Sequence, residues 1–379
     1  MDTVFIIGIF LSIFLSLLVL AKQQKSLPDI ILAVWLGIIA IHLSSYYLYS
    51  LDYWTHYPHL IGVTLPLPLL HGPMLYLYTV YSTRADVSLR RKDYLHFLPA
   101  LATWLYMSRF YFFYTAEEKI LVDTGRVDDF SVFSIVVLIA FIISGLTYPI
   151  LAYLRLGAHK QLVSDNFSNE NRISLDWLRY WIYGVGLLYL TVAAVSMLSE
   201  GLGVSFPFNV DFIYYIMVVF YVVCIGYFGI RHQNIIVATS PNEPLQLVGS
   251  NSRSEYKKSG LKPGVAEEIH QKLTDFMHSN KPYLNPELTL NILAKNLEVS
   301  ANHLSQIINQ YENVNFYDFV NRHRVEAFIL NASANKRFTL LAHAYDAGFN
   351  SKSTFNNVFK KLKGITPSRY LSELQADAK

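Results

Sequence analysis

The chain has 379 residues, enough for two or three domains, and 53% of them are apolar while only 16% are charged, which excludes an ordinary soluble protein. Its net charge of +3 hides a division: residues 1–231 hold nearly all the long apolar runs, whereas residues 232–379 carry 17 of the 31 Lys and Arg. A single cysteine, Cys224, rules out an intrachain disulfide and a cysteine-based zinc site, and its apolar surroundings read as those of a small buried hydrophobe.

The N-terminal stretch "MDTVFIIGIFLSIFLSLLVLAKQQK" has no basic residues before its apolar run and no small-residue cleavage site, so it reads as a retained first span with its N-terminus outside. Apolar stretches near 3–21, 30–50, 60–83, 94–114, 131–154, 178–199 and 210–230 are each long enough to cross about 30 Å of hydrocarbon. They predict a bundle of seven transmembrane helices. The third is expected to be kinked, because Pro66, Pro68 and Pro73 each remove a backbone donor.

Loop charges orient the bundle. The segments after spans one, three and five carry Lys22 and Lys25; Arg84, Arg90, Arg91 and Lys92; and Arg155, Lys160, Arg172 and Arg179, which assigns them to the cytoplasm. The loops after spans two and six have no Lys or Arg, and the loop after span four is acidic (Glu117, Glu118, Asp123, Asp128, Asp129). These face outward, so everything after Arg231 is expected in the cytoplasm.

Three polar residues inside the spans are sensor candidates. His42 and His71 each lie about 12 residues from the inner end of their span, a shared depth of roughly 18 Å. They read either as a facing pair that senses protons or a ligand, or as two neutral histidines bonded to carbonyls freed by the prolines. Arg109, near the outer end of span four, either holds an anionic ligand or snorkels to the interface. No metal-ligand cluster, nucleophile elbow or phosphate loop is present, so no metal, cofactor or enzymatic activity is expected.

Residues 232–262 lack periodicity and read as a linker. A flexible chain of that length spans roughly 30 Å root-mean-square, which would pass on proximity between membrane regions but not a helix tilt. "GVAEEIHQKLTDFMHS" then places Val265, Ile269, Leu273 and Phe276 on one helical face.

Two helix-turn-helix units follow. In the first, Leu290, Leu293, Ala294 and Leu297 line one helix, Val299 fills the turn, and Ser300 caps a second helix whose Asn302, His303, Gln306 and Asn309 face out. In the second, Leu340, Leu341, Ala344 and Ala347 precede Gly348 and Phe349. The next helix buries Phe355, Val358, Phe359 and Leu362 and presents Ser351, Lys352, Ser353, Thr354, Asn356, Asn357 and Lys360. These side chains can reach base edges or phosphates. "FYDFVNRHRVEAFILN" joins the units as an amphipathic helix.

Residues 263–375 resemble the DNA-binding domain of the AraC/XylS family of bacterial transcription regulators, most specifically in "GFNSKSTFNNVFKKLKGITPSRY". "YKKSGL", "KPYLNPELTL" and "NHLSQIIN" resemble a branch in which that domain follows a multi-span membrane region. The resemblance implies two recognition helices, about 301–310 and 351–362, in successive major-groove segments. Two positions depart from the pattern. Glu298 replaces a frequent glycine, at little expected cost if its turn is not left-handed. His343 replaces a buried aliphatic residue and is expected to weaken packing. The first recognition helix has no Arg or Lys, so the second unit is expected to anchor and the first to discriminate sequence.

The fold expected is all-α: a seven-helix transmembrane bundle (1–231), a cytoplasmic linker (232–262) and a cytoplasmic all-α DNA-binding domain with two helix-turn-helix units (263–379). The function expected is a membrane-anchored one-component transcription regulator whose transmembrane region is sensor or anchor. Its place is the bacterial inner membrane. Expected partners are double-stranded DNA, the lipid bilayer, a second copy of the chain and an unidentified small-molecule or envelope signal. The alternative is a seven-span transporter or membrane enzyme whose helical tail regulates it by protein contact.

Overall fold

The protein's computed structural model describes residues 2–84, 88–169, 175–201, 203–206, 210–231, 263–335 and 337–377. Among these residues the structure is helical and contains no strand, only an isolated antiparallel bridge between Phe167 and Thr289. The linker expected at 232–262 lies outside the described residues.

Seven apolar helices occupy the N-terminal part: α1 (Asp2–Leu20), α2 (Leu27–Ser50), α3 (Pro68–Ser82), α4 (Leu98–Phe113), α5 (Ser131–Asn166), α6 (Asp176–Ser196) and α7 (Val210–Arg231). Two shorter ones, Tyr53–His56 and Ala116–Asp123, lie in connections. Four of the helices, α1, α2, α5 and α6, have the length and hydropathy to cross a membrane. Of the seven spans expected, four therefore meet both criteria among the described residues, and the other three are not shown to cross. At 15 and 16 residues, α3 and α4 reach only about 22–24 Å at 1.5 Å per residue. The cause in the third stretch is proline. Helical bonding before Pro68 is replaced by successive tight turns, Leu65 N to Gly62 O, Leu67 N to Thr64 O and Leu69 N to Pro66 O, each 3.0–3.2 Å. The fourth stretch opens as a 3₁₀ segment, Arg91–Phe97, before α4 begins. α7 runs for 22 residues, about 33 Å, and is apolar over Ile213–Ile225 among the residues whose side chains are described.

The apolar residues of this part face both inward and outward. Trp35, Leu36, Leu43, Leu75 and Leu178 are fully buried, while Phe10, Phe112, Leu154 and Phe220 are more than half exposed. Water does not tolerate so much apolar surface, and the helices therefore indicate membrane association.

Chain contacts divide the molecule into two compact units, Met1–Leu156 with Leu175–Val237, and Gly157–Ser174 with Ala238–Lys379. The second unit contains α8 (Pro263–Asn280), α9 (Leu290–Leu297), α10 (Ala301–Ile307), α11 (Phe316–Ala334), α12 (Leu340–Asp346), α13 (Lys352–Lys363) and α14 (Pro367–Asp377). It has two cores. Leu293, Leu297, Leu304 and Ile308 pack with Phe316, Phe319 and Val320 at the start of α11. Val325, Phe328 and Ala332, further along α11, pack with Ala344, Phe349, Phe355 and Phe359. One helix thereby joins two helix pairs.

Candidate functional site

Both helix pairs turn in the same way. The amide of Val299 donates to Ala294 O (3.0 Å) in the first, and that of Phe349 to Ala344 O (3.1 Å) in the second. The residue before each is left-handed: Glu298 at φ 59° and Gly348 at φ 93°. The small Ala294 and Ala344 are buried beneath the crossing helices. Glu298 is left-handed, so the condition for an inexpensive turn is not met, and a Cβ in that region costs roughly 1–2 kcal/mol. Gly348 has a further constraint: a Cβ there would lie 2.3 Å from Tyr283 O, so only glycine fits.

His343 also departs from expectation. It is buried, yet its Nε2–H donates to Asn335 O at 2.8 Å, which fastens the loop before α12 instead of loosening the packing.

The recognition faces follow from caps. Ser300 Oγ accepts from His303 N (3.2 Å), and Ser351 Oγ accepts from Thr354 N (3.2 Å), so each serine begins its helix. Asn302 is exposed, and His303, Gln306 and Asn309 are half-buried; Asn309 Nδ2 donates back to Ser305 O (2.9 Å). The first recognition helix runs on past α10 as a wider turn, Ile308–Glu312. In α13, Lys352, Ser353, Asn356, Asn357 and Lys360 are exposed, and Ser351 and Thr354 are half-buried. Lys361 is committed elsewhere, to Asp318 of α11 at 2.7 Å. The four lysines of this helix thus separate into Lys361, which ties it to α11, Lys363, which lies over the Tyr370 ring, and Lys352 and Lys360, displayed with amides and hydroxyls.

Sequence reasoning missed the centre of this unit. Arg324 of α11 is 1% exposed. All five of its N–H groups are used: Nε to Tyr283 O (2.8 Å), Nη1 to Ser168 O (2.9 Å) and Asn321 Oδ1 (3.2 Å), Nη2 to Ser168 Oγ (3.0 Å) and Asn285 O (2.9 Å). Burial pulls its pKa down to about 10, which leaves it charged at neutral pH. Ser168 Oγ in turn donates to Leu288 O (2.7 Å). Residues 167 and 168, which continue from α5, are therefore built into the unit that carries the recognition faces. The available signal was Arg324 itself, in register with Phe316, Val320 and Phe328 on the apolar stripe of α11.

In the membrane unit the structure brings His42 and His71 together, with Nδ1 of His42 3.3 Å from Nε2 of His71 and the rings stacked at 5.5 Å. Trp35 Nε1 donates to His71 Nδ1 (3.1 Å), and Tyr215 Oη lies 3.3 Å from His42 Nε2. These partners are side chains, not the proline-freed carbonyls. Arg109 is exposed on α4 and takes no part in this set.

Residues 293–373, about a fifth of the chain, match the family model of a helix-turn-helix domain. No curated protein and no solved structure matches the chain. The matched region contains both recognition faces and most of α11. It supports a DNA-binding transcription regulator of the AraC type.

Proposed function

We propose that the chain is a membrane-anchored, one-component transcription regulator of the AraC/XylS type that binds specific double-stranded DNA through two helix-turn-helix units. The observation that carries this reading is the pair of capped helices, α10 and α13, each showing polar side chains outward and held by one connecting helix. Ser300, Asn302, His303, Gln306 and Asn309 would serve the first half-site. Ser351, Lys352, Ser353, Thr354, Asn356, Asn357 and Lys360 would serve the second. Groups spaced along a helix face in this way read bases where they are amides and hold phosphates where they are lysines.

The N-terminal helices serve as anchor and sensor in the bacterial inner membrane, with seven crossings, the N-terminus outside and the recognition faces in the cytoplasm. Loop charges support that orientation. A second copy of the chain is the natural partner on adjacent half-sites. Two covalent routes lead to the DNA-binding residues, the segment 232–262 and α5, which contributes to both compact units.

The test is genome-wide mapping of DNA bound by the full-length protein, against a variant with Lys352→Ala, Lys360→Ala and Gln306→Ala. Discrete sites lost in the variant are expected; identical profiles would reject the reading.

A further inference from the structure

Behind the histidine pair lies a cavity of about 430 Å³ within the membrane unit. It is lined by α2 (His42), α3 (Pro68, Leu69), α5 (Ser134 to Phe141), α6 (Thr191 to Val195) and α7 (Ile213 to Met217), and it reaches Ser199 and Phe206 beyond α6. That volume falls in the range of small-molecule sites, roughly 300–1,000 Å³.

Its chemistry is one-sided. Among the described residues that line it none is Lys, Arg, Asp or Glu, and such a lining favours an uncharged guest. The walls are mostly apolar, with Val137, Phe141, Val192 and Met217; Ser134, Thr191, Ser199 and Tyr214 add scattered hydroxyls, and His42 with Tyr215 forms the hydrogen-bonded polar pair. The direction of hydrogen bonding at that pair is fixed from behind. An indole N–H only donates, so His71 Nδ1 accepts from Trp35 and the neutral ring carries its proton on Nε2. His71 Nε2–H then donates to His42 Nδ1, and His42 in turn carries its proton on Nε2, toward Tyr215. The relay thus gives the cavity a donor end.

We propose that this cavity binds an uncharged, mostly apolar molecule bearing a carbonyl or hydroxyl oxygen, with the oxygen against His42 and Tyr215 and the apolar body between α5, α6 and α7. This deepens the sensor reading and rests on it only for consequence, since binding and response are measured separately. A ligand of this class partitions into the bilayer and needs no aqueous entrance.

Benzophenone is a suitable probe: neutral, apolar, with a single carbonyl, and photoreactive toward nearby C–H bonds. Full-length protein in phosphatidylcholine nanodiscs is irradiated with it and the adducts are mapped by mass spectrometry. Adducts are expected to concentrate on Met217, Val137 and Val192. Val192→Trp, or Val195→Phe should the first fail to fold, fills the cavity and should abolish most of them. Tyr215→Phe removes one hydrogen bond and should lower them about fivefold, the equivalent of roughly 1 kcal/mol. Phe220→Trp, on an exposed position, should leave them unchanged. Adducts spread over Phe112, Leu154 and Phe220 and indifferent to the cavity variants would overturn the site and leave bulk lipid as the probe's only host. DNA occupancy measured with and without benzophenone addresses the sensor reading. Cavity labelling with unchanged occupancy upholds the site and rejects the response.

Discussion

At Glu298 a single backbone angle decides the cost of a turn. The sequence says that a glutamate stands in a turn; it does not say whether the turn is left-handed, because φ there is set by how α9 and α10 cross. The observed φ of 59° on an exposed residue makes Glu298→Gly an expected stabilisation of about 0.5–1 kcal/mol, after the entropy of the added glycine is counted. Thermal unfolding of the detergent-solubilised protein checks it, and an unchanged or lower midpoint would contradict it. Asp165, near the end of α5, offers a pH test. Its Oδ1 accepts from Gln161 (3.1 Å), while Oδ2 is buried with no hydrogen-bond partner among the described residues. Burial pushes its pKa up to about 6, against the smaller opposing effect of the Gln161 bond. A raised carboxyl pKa means the folded state prefers the neutral form. Its stability is therefore fullest below about pH 4 and declines as pH rises through 6, by about 1–2 kcal/mol. Asp165→Asn should unfold at a higher temperature than wild type at pH 7 and at the same temperature near pH 4. Parallel curves across that range would show that the carboxyl is not responsible.

Among the helices, periodicity made α8 to α13 legible. Val299 and Phe349 in the turns, Ser300 at its cap and most of the buried faces of α10 and α13 follow from local spacing, whereas the capping role of Ser351 was not read and Leu362, expected in the buried face, is exposed. Arg324 was legible as an oddity on an apolar stripe, but its partner Ser168 lies 156 positions away, and no local pattern links the two. Replacing Lys352 and Lys360 together by Ala should weaken DNA binding on every sequence and reduce the steepness of its salt dependence by roughly two. Asn302→Ala or Gln306→Ala should instead relax sequence preference with the salt slope unchanged. Competition binding at several salt concentrations separates the two outcomes. Equal, salt-insensitive retention of all variants would remove DNA contact from both faces. Arg324→Leu leaves the acceptors at Tyr283, Asn285 and Ser168 unpaired, and should cost about 3–5 kcal/mol and abolish DNA binding.

For the molecule as a whole, two regimes of composition announced two environments, and loop charge supplied an orientation. What they could not supply is the number of crossings. Pro66 and Pro68 cut a stretch of adequate length into turns and a short helix, and hydropathy averaged over the stretch conceals the cut. Depth along the second and third stretches did bring His42 and His71 to one level, though Trp35 and Tyr215, which complete their set, carry no such signal. Cysteine labelling in a Cys224→Ser background decides the topology. A cysteine at Ser88 should be protected from an impermeant reagent outside the cell and one at Thr124 should react. The reverse pattern would invert the bundle and place the recognition faces outside, where there is no DNA.

The presence of Ser168 in the Arg324 site bears on how such a protein can be inherited. A DNA reader joined to its receptor by a linker alone could be exchanged between receptors by one recombination event in that linker. Here such an exchange separates Arg324 from the residue that satisfies two of its five N–H groups. A chimera joined within residues 232–262 would need a serine-bearing turn of the same shape from its new receptor. The two halves are expected to travel through evolution as a pair, with residues 167 and 168 following the DNA-binding end even though they are encoded among the spans.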